Sequence, residues 1–187
     1  MNKRILSVLA VFLVLLSGCT TTGLGSGDSD TRRRAIDANV DNALAQLSGQ
    51  VEGSEDLVSL AKGVLVFPSV LEGGFVVGAS RGQGALRVDG KTVSYHATTS
   101  ASFGLQAGAR STAVFLLFMT DDALRRFQNS SGWTVGADAS VTLVAVGAGA
   151  HVTTATAQQP VIGYVLSNLG LMAGISLDGT RITRLNL

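Results

Sequence analysis

The sequence predicts an α+β fold in which N-terminal helices pack on a mostly antiparallel, strongly curved β-sheet or barrel-like sandwich. Three observations carry this. Apolar residues recur at helical steps between Arg32 and Val51, the period changes to that of strands after Gly63, and two Asp-Gly turn signals sit among glycine-rich, β-branched runs. Strands joined by tight turns pair antiparallel, and glycines inside strands mark bends or close backbone approach.

The elements follow in order. Ile36, Val40, Ala43, Leu44, Leu47 and Val51 form one apolar stripe of an amphipathic helix, opposite Arg32, Arg33, Arg34, Asp37 and Asp41. A second helix is expected over Ser54 to Lys62, with Ser54 as N-cap, Glu55 and Asp56 in the first turn, and Gly63 as the stop. Val64-Leu-Val-Phe67 reads as a strand ending at Pro68. Phe75 to Val77 and Ala85 to Val88 are further strand segments, and Asp89-Gly90 is a type I′ hairpin signal answered by Lys91 to Thr99. Phe103 to Arg110 and Thr112 to Met119 read as two more strands. Thr120 caps a helix with Asp121 and Asp122 at its start, Arg125 and Arg126 near its end, and Leu124 and Phe127 facing inward. Trp133 to Ala150, Val161 to Asn168, Leu169 to Leu177 and Thr180 to Leu185 complete a chain dominated by strands.

The N-terminus sets the expected destination. Lys3 and Arg4 precede a nearly unbroken apolar run from Ile5 to Leu16, which reads as a secretory signal peptide over residues 1–18 and is too short to span a membrane. Leu16-Ser-Gly-Cys19 resembles the lipobox of bacterial lipoproteins, in which the chain is cut before the cysteine and the thiol is acylated. Cys19 is the chain's only cysteine, so no disulfide partner exists within the chain, and lipid attachment at Cys19 accounts for it. Thr20 in place of Asp resembles the outer-membrane sorting class of a Gram-negative host. Residues 19–31, rich in Gly, Ser, Thr and Asp, are expected to form a flexible tether, followed by a single domain over 32–187. Without Lys3 and Arg4, 12 of the 14 basic residues face 13 acidic ones, a net charge of −1. No strong basic field exists to hold nucleic acid. A transmembrane β-barrel would need aromatic girdles that one Trp, two Tyr and scattered Phe do not supply.

Catalytic constellations are weak. Gly78-Ala-Ser80-Arg-Gly82 spells G-x-S-x-G, but a nucleophile elbow needs a helix directly after the serine, and here an alternating segment and a hairpin turn follow. Among 23 glycines the pattern arises readily by chance. Neither His96 nor His151 has a second ligand type at metal spacing, and Glu55-Asp56 and Asp121-Asp122 are adjacent pairs that point apart on helices. No catalytic residue, metal or cofactor is expected.

A family resemblance covers residues 54 to 187. Ala61-Lys-Gly-Val-Leu-Val-Phe-Pro68, Gly73-Gly-Phe-Val-Val-Gly78 and Arg81-Gly-Gln-Gly84 resemble the opening of the SYLF domain. The likeness continues through Phe103-Gly-Leu-Gln-Ala-Gly108, Val135-Gly-Ala-Asp-Ala-Ser140 and the run from Gly163 to Gly179. It implies a phospholipid-binding, non-enzymatic domain. Some eukaryotic relatives bind phosphoinositides through an amphipathic N-terminal helix and basic surface residues, and some bind actin; bacterial members are commonly exported lipoproteins. Lys91 to His96 depart from the tryptophan and Ser-x-Pro of many relatives, and the chain lacks the family's Tyr-Tyr-Gly ending. Fold and lipid contact carry over; actin does not.

The expected lipid contacts are Arg32, Arg33 and Arg34, which open the amphipathic helix beside the acylated anchor, with Lys62 and Arg81 as further members. The other reading of these arginines is a solvated helix face whose apolar side packs onto the sheet; three arginines at a helix N-terminus oppose the macrodipole, a cost that a headgroup role would explain. The alternative is a structural envelope protein whose Gly/Ala-rich strands associate with copies of themselves.

Overall fold

The computed structural model describes residues 26–74, 77–103, 108–144, 158–167, 170–171 and 176–187. Helices α1 (Ser26–Gln50) and α2 (Ser54–Leu60) precede strands β1 (Gly63–Gly74), β2 (Val77–Val88), β3 (Lys91–Phe103) and β4 (Gly108–Phe118). Helix α3 (Asp121–Asn129) then leads to β5 (Trp133–Thr134), β6 (Thr142–Leu143), β7 (Val161–Ser167), β8 (Gly170–Leu171) and β9 (Arg181–Leu185). The strands form one nine-stranded sheet in the order β5-β9-β3-β2-β1-β4-β7-β6, with β8 on β7. Every pairing between these strands is antiparallel except β6 with β7. The sheet is strongly curled into a half-barrel, so the α+β class with N-terminal helices on a curved sheet holds.

The apolar runs are continuous because the central strands are covered on both faces. Along β1, Val64 and Val66 join the α1 stripe of Ile36, Val40, Ala43 and Leu47 on the convex side, while Leu65 and Phe67 enter a second core inside the curl. β4 divides the same way, Phe115 and Leu117 toward the helices, Leu116 and Phe118 inward. α3 closes the inner core with Leu124 and Phe127. Phe127 packs 4.9 Å from Phe118 and edge-on to Trp133 at 5.5 Å, geometries favoured by aromatic quadrupoles. Thr120 accepts the Ala123 N–H at 3.2 Å, the cap the sequence predicts. Asp89 and Gly90 take φ values of 50° and 74°, as the type I′ turn between β2 and β3 requires.

Several boundaries differ from expectation: Gly108–Phe118 is one strand where two were expected, over 103–110 and 112–119, and four others differ for a local reason. α1 starts at Ser26, so the last residues of the expected 19–31 tether are helical; Asp28 in the first turn favours this start, and Asp30 pairs with Arg33 at 3.5 Å. The N-cap of α2 is Gly53 at φ 76°, not Ser54, whose buried Oγ donates to the Leu47 carbonyl at 3.2 Å. α2 ends at Leu60, which leaves Lys62 beyond it, donating its backbone N–H to Phe118 O at 2.8 Å, and Gly63 opens β1 instead of stopping a helix. β1 does not end at Pro68. The ladder shifts register between Val66 and Ser69 toward β2 and between Phe67 and Val70 toward β4, so a bulge absorbs the proline's missing donor and the strand runs on to Gly74.

The expected strand from Trp133 to Ala150 is also interrupted. Gly136 at φ 87° and Asp138, which accepts the Thr134 N–H at 2.6 Å, turn the chain after β5; Val135 and Ala139 bridge across that turn, and Thr142–Leu143 is the next strand. Residues 145–150 lie outside the described set.

Candidate functional site

The bulge at Pro68 fixes which residues face which way beyond it. After the shift, Ser69, Leu71 and Gly73 pair with Gln83, Arg81 and Ala79, which share the convex face with Ala85 of the helix-side core. The register then runs sideways from Leu71 to Arg81, to Thr99, to Arg181 and to Thr134, one residue per strand from β1 to β5. Leu71 is 63% exposed, and Arg81, Thr99 and Arg181 are exposed beside it. Adjacent strands lie about 5 Å apart, so Arg81 and Arg181, two strands removed, are roughly 10 Å apart at the backbone.

α1 brings a third arginine to this face. Arg32 lines a groove of about 510 Å³ with Asn39, Asn42, Pro68, Ser69 and Gln83, the last being two residues from Arg81 on the same face of β2. No ion pair engages Arg32, Arg81 or Arg181 among the described residues. Glu72 points to the opposite face of the sheet, where its Oε2 accepts from Arg110 at 2.7 Å. The result is an unpaired basic face with an exposed leucine at its edge, next to the start of α1.

The sequence-predicted basic residues separate in space. Arg33 pairs with Asp30 and leans over the other flank of α1, toward Tyr95, Arg184 and Leu187. Arg34 is exposed and its Nη2 lies 3.5 Å from Thr31 Oγ1. Lys62 lies nine residues along β1 from Leu71, the partner of Arg81, about 30 Å at strand spacing. Arg32 and Arg81 therefore lie together at one end of β1 and Lys62 at the other. Cys19 and His151 lie outside the described residues. The helix stripe faces the sheet, with Val40 at 0% and Leu47 at 1% exposure, so the outer side of α1 carries charged and polar side chains and small alanines. Arg181 and Leu71 are the contributions the sequence reading missed, because only the register places them beside Arg81.

A polar clamp holds α1 in this position. Asp37 accepts from Thr92 Oγ1 at 2.6 Å and from Tyr95 Oη at 2.8 Å, and Arg87 Nη2 reaches Asp41 at 2.7 Å. Burial, followed by the hydrogen bond to Asp37, pushes the Tyr95 phenol up to about 12.

Ser80 lies in β2, not at a strand-to-helix elbow, and its hydroxyl is 2.6 Å from that of Ser100. His96 is buried. Its Nε2 is 2.8 Å from Ser94 Oγ and its ring packs 4.9 Å from Phe127, so it is a core histidine. Burial, with Arg184 adding to it, lowers its pKa to about 4. Among the described residues no three His, Cys, Asp or Glu side chains are grouped to hold a metal. No described helix is long and apolar enough to cross a membrane.

Residues 99–186 match the family model described as Ysc84: Las17-binding protein actin regulator. The match takes in the motifs at 103–108, 135–140 and 163–179, and those at 61–84 precede it. No curated protein matches the chain.

Proposed function

From the membership of residues 99–186 in the Ysc84 (SYLF) domain family, a family of binding domains, we propose that this chain is a phospholipid-binding lipoprotein of the outer membrane. It is anchored through acylated Cys19 with its domain in the periplasm. The family supports a lipid-binding or actin-regulating role. The lipobox-like Leu16-Ser-Gly-Cys19 favours the lipid side, since actin is not a partner for an exported bacterial domain.

The observation that carries the reading is the unpaired face of Arg32, Arg81 and Arg181 beside exposed Leu71. Arg34 adds a fourth charge at the same end of α1. A chain leaving the bilayer at Cys19 enters α1 within seven residues, so the tether delivers this end of the domain to the headgroups. Each basic residue near an anionic surface contributes about 1 kcal/mol, screened within a Debye length. Leu71 adds apolar contact at the headgroup boundary. The domain acts by adhesion, with no bond made or broken.

The test is co-sedimentation of the chain from Thr20 onward, which retains all of the core residues, with vesicles of anionic and of zwitterionic phospholipid. Binding to anionic vesicles that weakens with added salt supports the reading, and the absence of binding to both removes it.

A further inference from the structure

The concave side of the half-barrel holds a cleft that faces away from Arg81 and has no part in the membrane reading. Its floor is formed by Phe67, Val70, Val114, Leu116, Val165 and Ile182, and its volume is about 130 Å³. That is close to an engineered apolar cavity that takes benzene, a group of roughly six carbons. Its mouth is polar. Ser80 and Ser100 share a hydrogen bond on one side, and Glu72, Arg110 and Asp178 bring charge to the others.

The charges at the mouth do not cancel. Arg110 turns both Nε and Nη2 onto Glu72 Oε2 at 2.7 Å, so its guanidinium is already committed. Asp178 accepts from Ser176 Oγ at 2.9 Å and has no cation partner among the described residues. Two carboxylates against one guanidinium leave one negative charge, and the serine hydroxyls retain lone pairs that can accept. A primary ammonium offers three donors and no acceptor and matches this set. A carboxylate head would meet Glu72 and Asp178 and find Arg110 occupied. We infer that the cleft binds a short aliphatic primary amine, the chain on the Phe67–Ile182 floor and the ammonium between Asp178 and Glu72.

The test uses methyl-labelled chain from Thr20 onward and three probes: n-hexylamine, hexanoate and 1,6-diaminohexane. Hexylamine should shift the Val70, Val114, Leu116 and Ile182 methyl resonances. Hexanoate, carrying the wrong charge, should bind at least about tenfold more weakly, and so should the diamine, whose second ammonium would have to enter the floor. Asp178→Asn, at an exposed position, should shrink the preference for hexylamine over hexanoate. Val114→Phe should fill the floor and abolish the shifts; if it fails to fold, the Asp178 variant and the methyl map still decide. Absence of methyl shifts with hexylamine, equal binding of hexylamine and hexanoate, or equal binding of the diamine would each overturn the inference. None of these results touches the vesicle measurement, so the two readings fail separately.

Discussion

Gly84→Ala should destabilise the sheet strongly, because among the glycines described it has the closest approach to backbone. A Cβ built at Gly84 overlaps the Val66 carbonyl oxygen and sits 2.7 Å from the Val66 carbonyl carbon and 2.9 Å from Phe67 Cα. All three atoms are backbone of β1, at the bulge that lets the strand pass Pro68, so no side-chain rotation relieves the clash. The bulged strand must move away from β2, and its ladder to β4 on the far side resists. Overpacking against mobile side chains costs about 1–3 kcal/mol. Against fixed backbone we expect the upper end of that range or beyond, a large share of the roughly 5–15 kcal/mol that stabilises a domain. At about 2–4 °C per kcal/mol for a chain of this length, Tm should fall by roughly 6–12 °C. The assay is urea unfolding followed by Trp133 fluorescence, with the m-value checked for constancy. Gly49→Ala is the control: it lies in α1 with nothing within 4 Å, and should stabilise by about 0.5–1 kcal/mol through helix propensity. A Gly84→Ala protein within about 1 kcal/mol of the parent would refute the reasoning, because the glycine would then not be required by the bulge.

Two further outcomes follow from the clamp and the buried histidine. Tyr95→Phe removes the donor to Asp37 and should cost about 1–2 kcal/mol, with amide exchange in α1 accelerating before that of β1 and β4; uniform acceleration across the domain would contradict a local clamp. His96 stays neutral in the folded state down to about 4 while the unfolded chain takes up its proton near 6.5. Between those values the unfolded state binds more protons, so the contribution is complete above about pH 6.5 and is lost as pH falls to about 4. The loss should amount to about 3 kcal/mol, and His96→Gln should flatten the stability curve over that window. Parallel curves for the two proteins would show that burial does not hold the ring neutral.

The parts of the fold that were legible in the sequence are those set by neighbours in the chain. The α1 stripe is a matter of residues three and four apart, and Ile36, Val40, Ala43, Leu47 and Val51 are all buried as their spacing predicts. The Asp89-Gly90 turn and the Thr120 cap are single-site chemistry and appear as read. Pro68 was misleading for the same local reason: a proline argues for the end of a strand, and only Gly82 and Gly84 on the neighbouring strand make room for a bulge instead. Ser54 has the chemistry of a cap, but Gly53 takes the left-handed position first. The arginine face depends on register. Arg81 and Arg181 are 100 residues apart in the chain and meet only because β2, β3 and β9 align, and the bulge decides that Leu71 and not Glu72 lies beside them. No periodicity in the sequence carries that alignment. The glycines around Ser80 precede the matched residues 99–186, and Gly82 and Gly84 let β2 pass close to β1.

The most direct test of the central claim replaces Arg32, Arg81 and Arg181 together by glutamine in the chain from Thr20 onward and measures partitioning onto anionic vesicles, with Lys62→Gln as the control from the distant end of β1. Three residues at about 1 kcal/mol each predict a loss of roughly 100-fold for the triple variant and a much smaller change for Lys62→Gln. A loss of about fivefold for Lys62→Gln, the same per charge as for the arginines, would reduce the effect to net charge, and undiminished binding of the triple variant would contradict the claim that this face meets lipid.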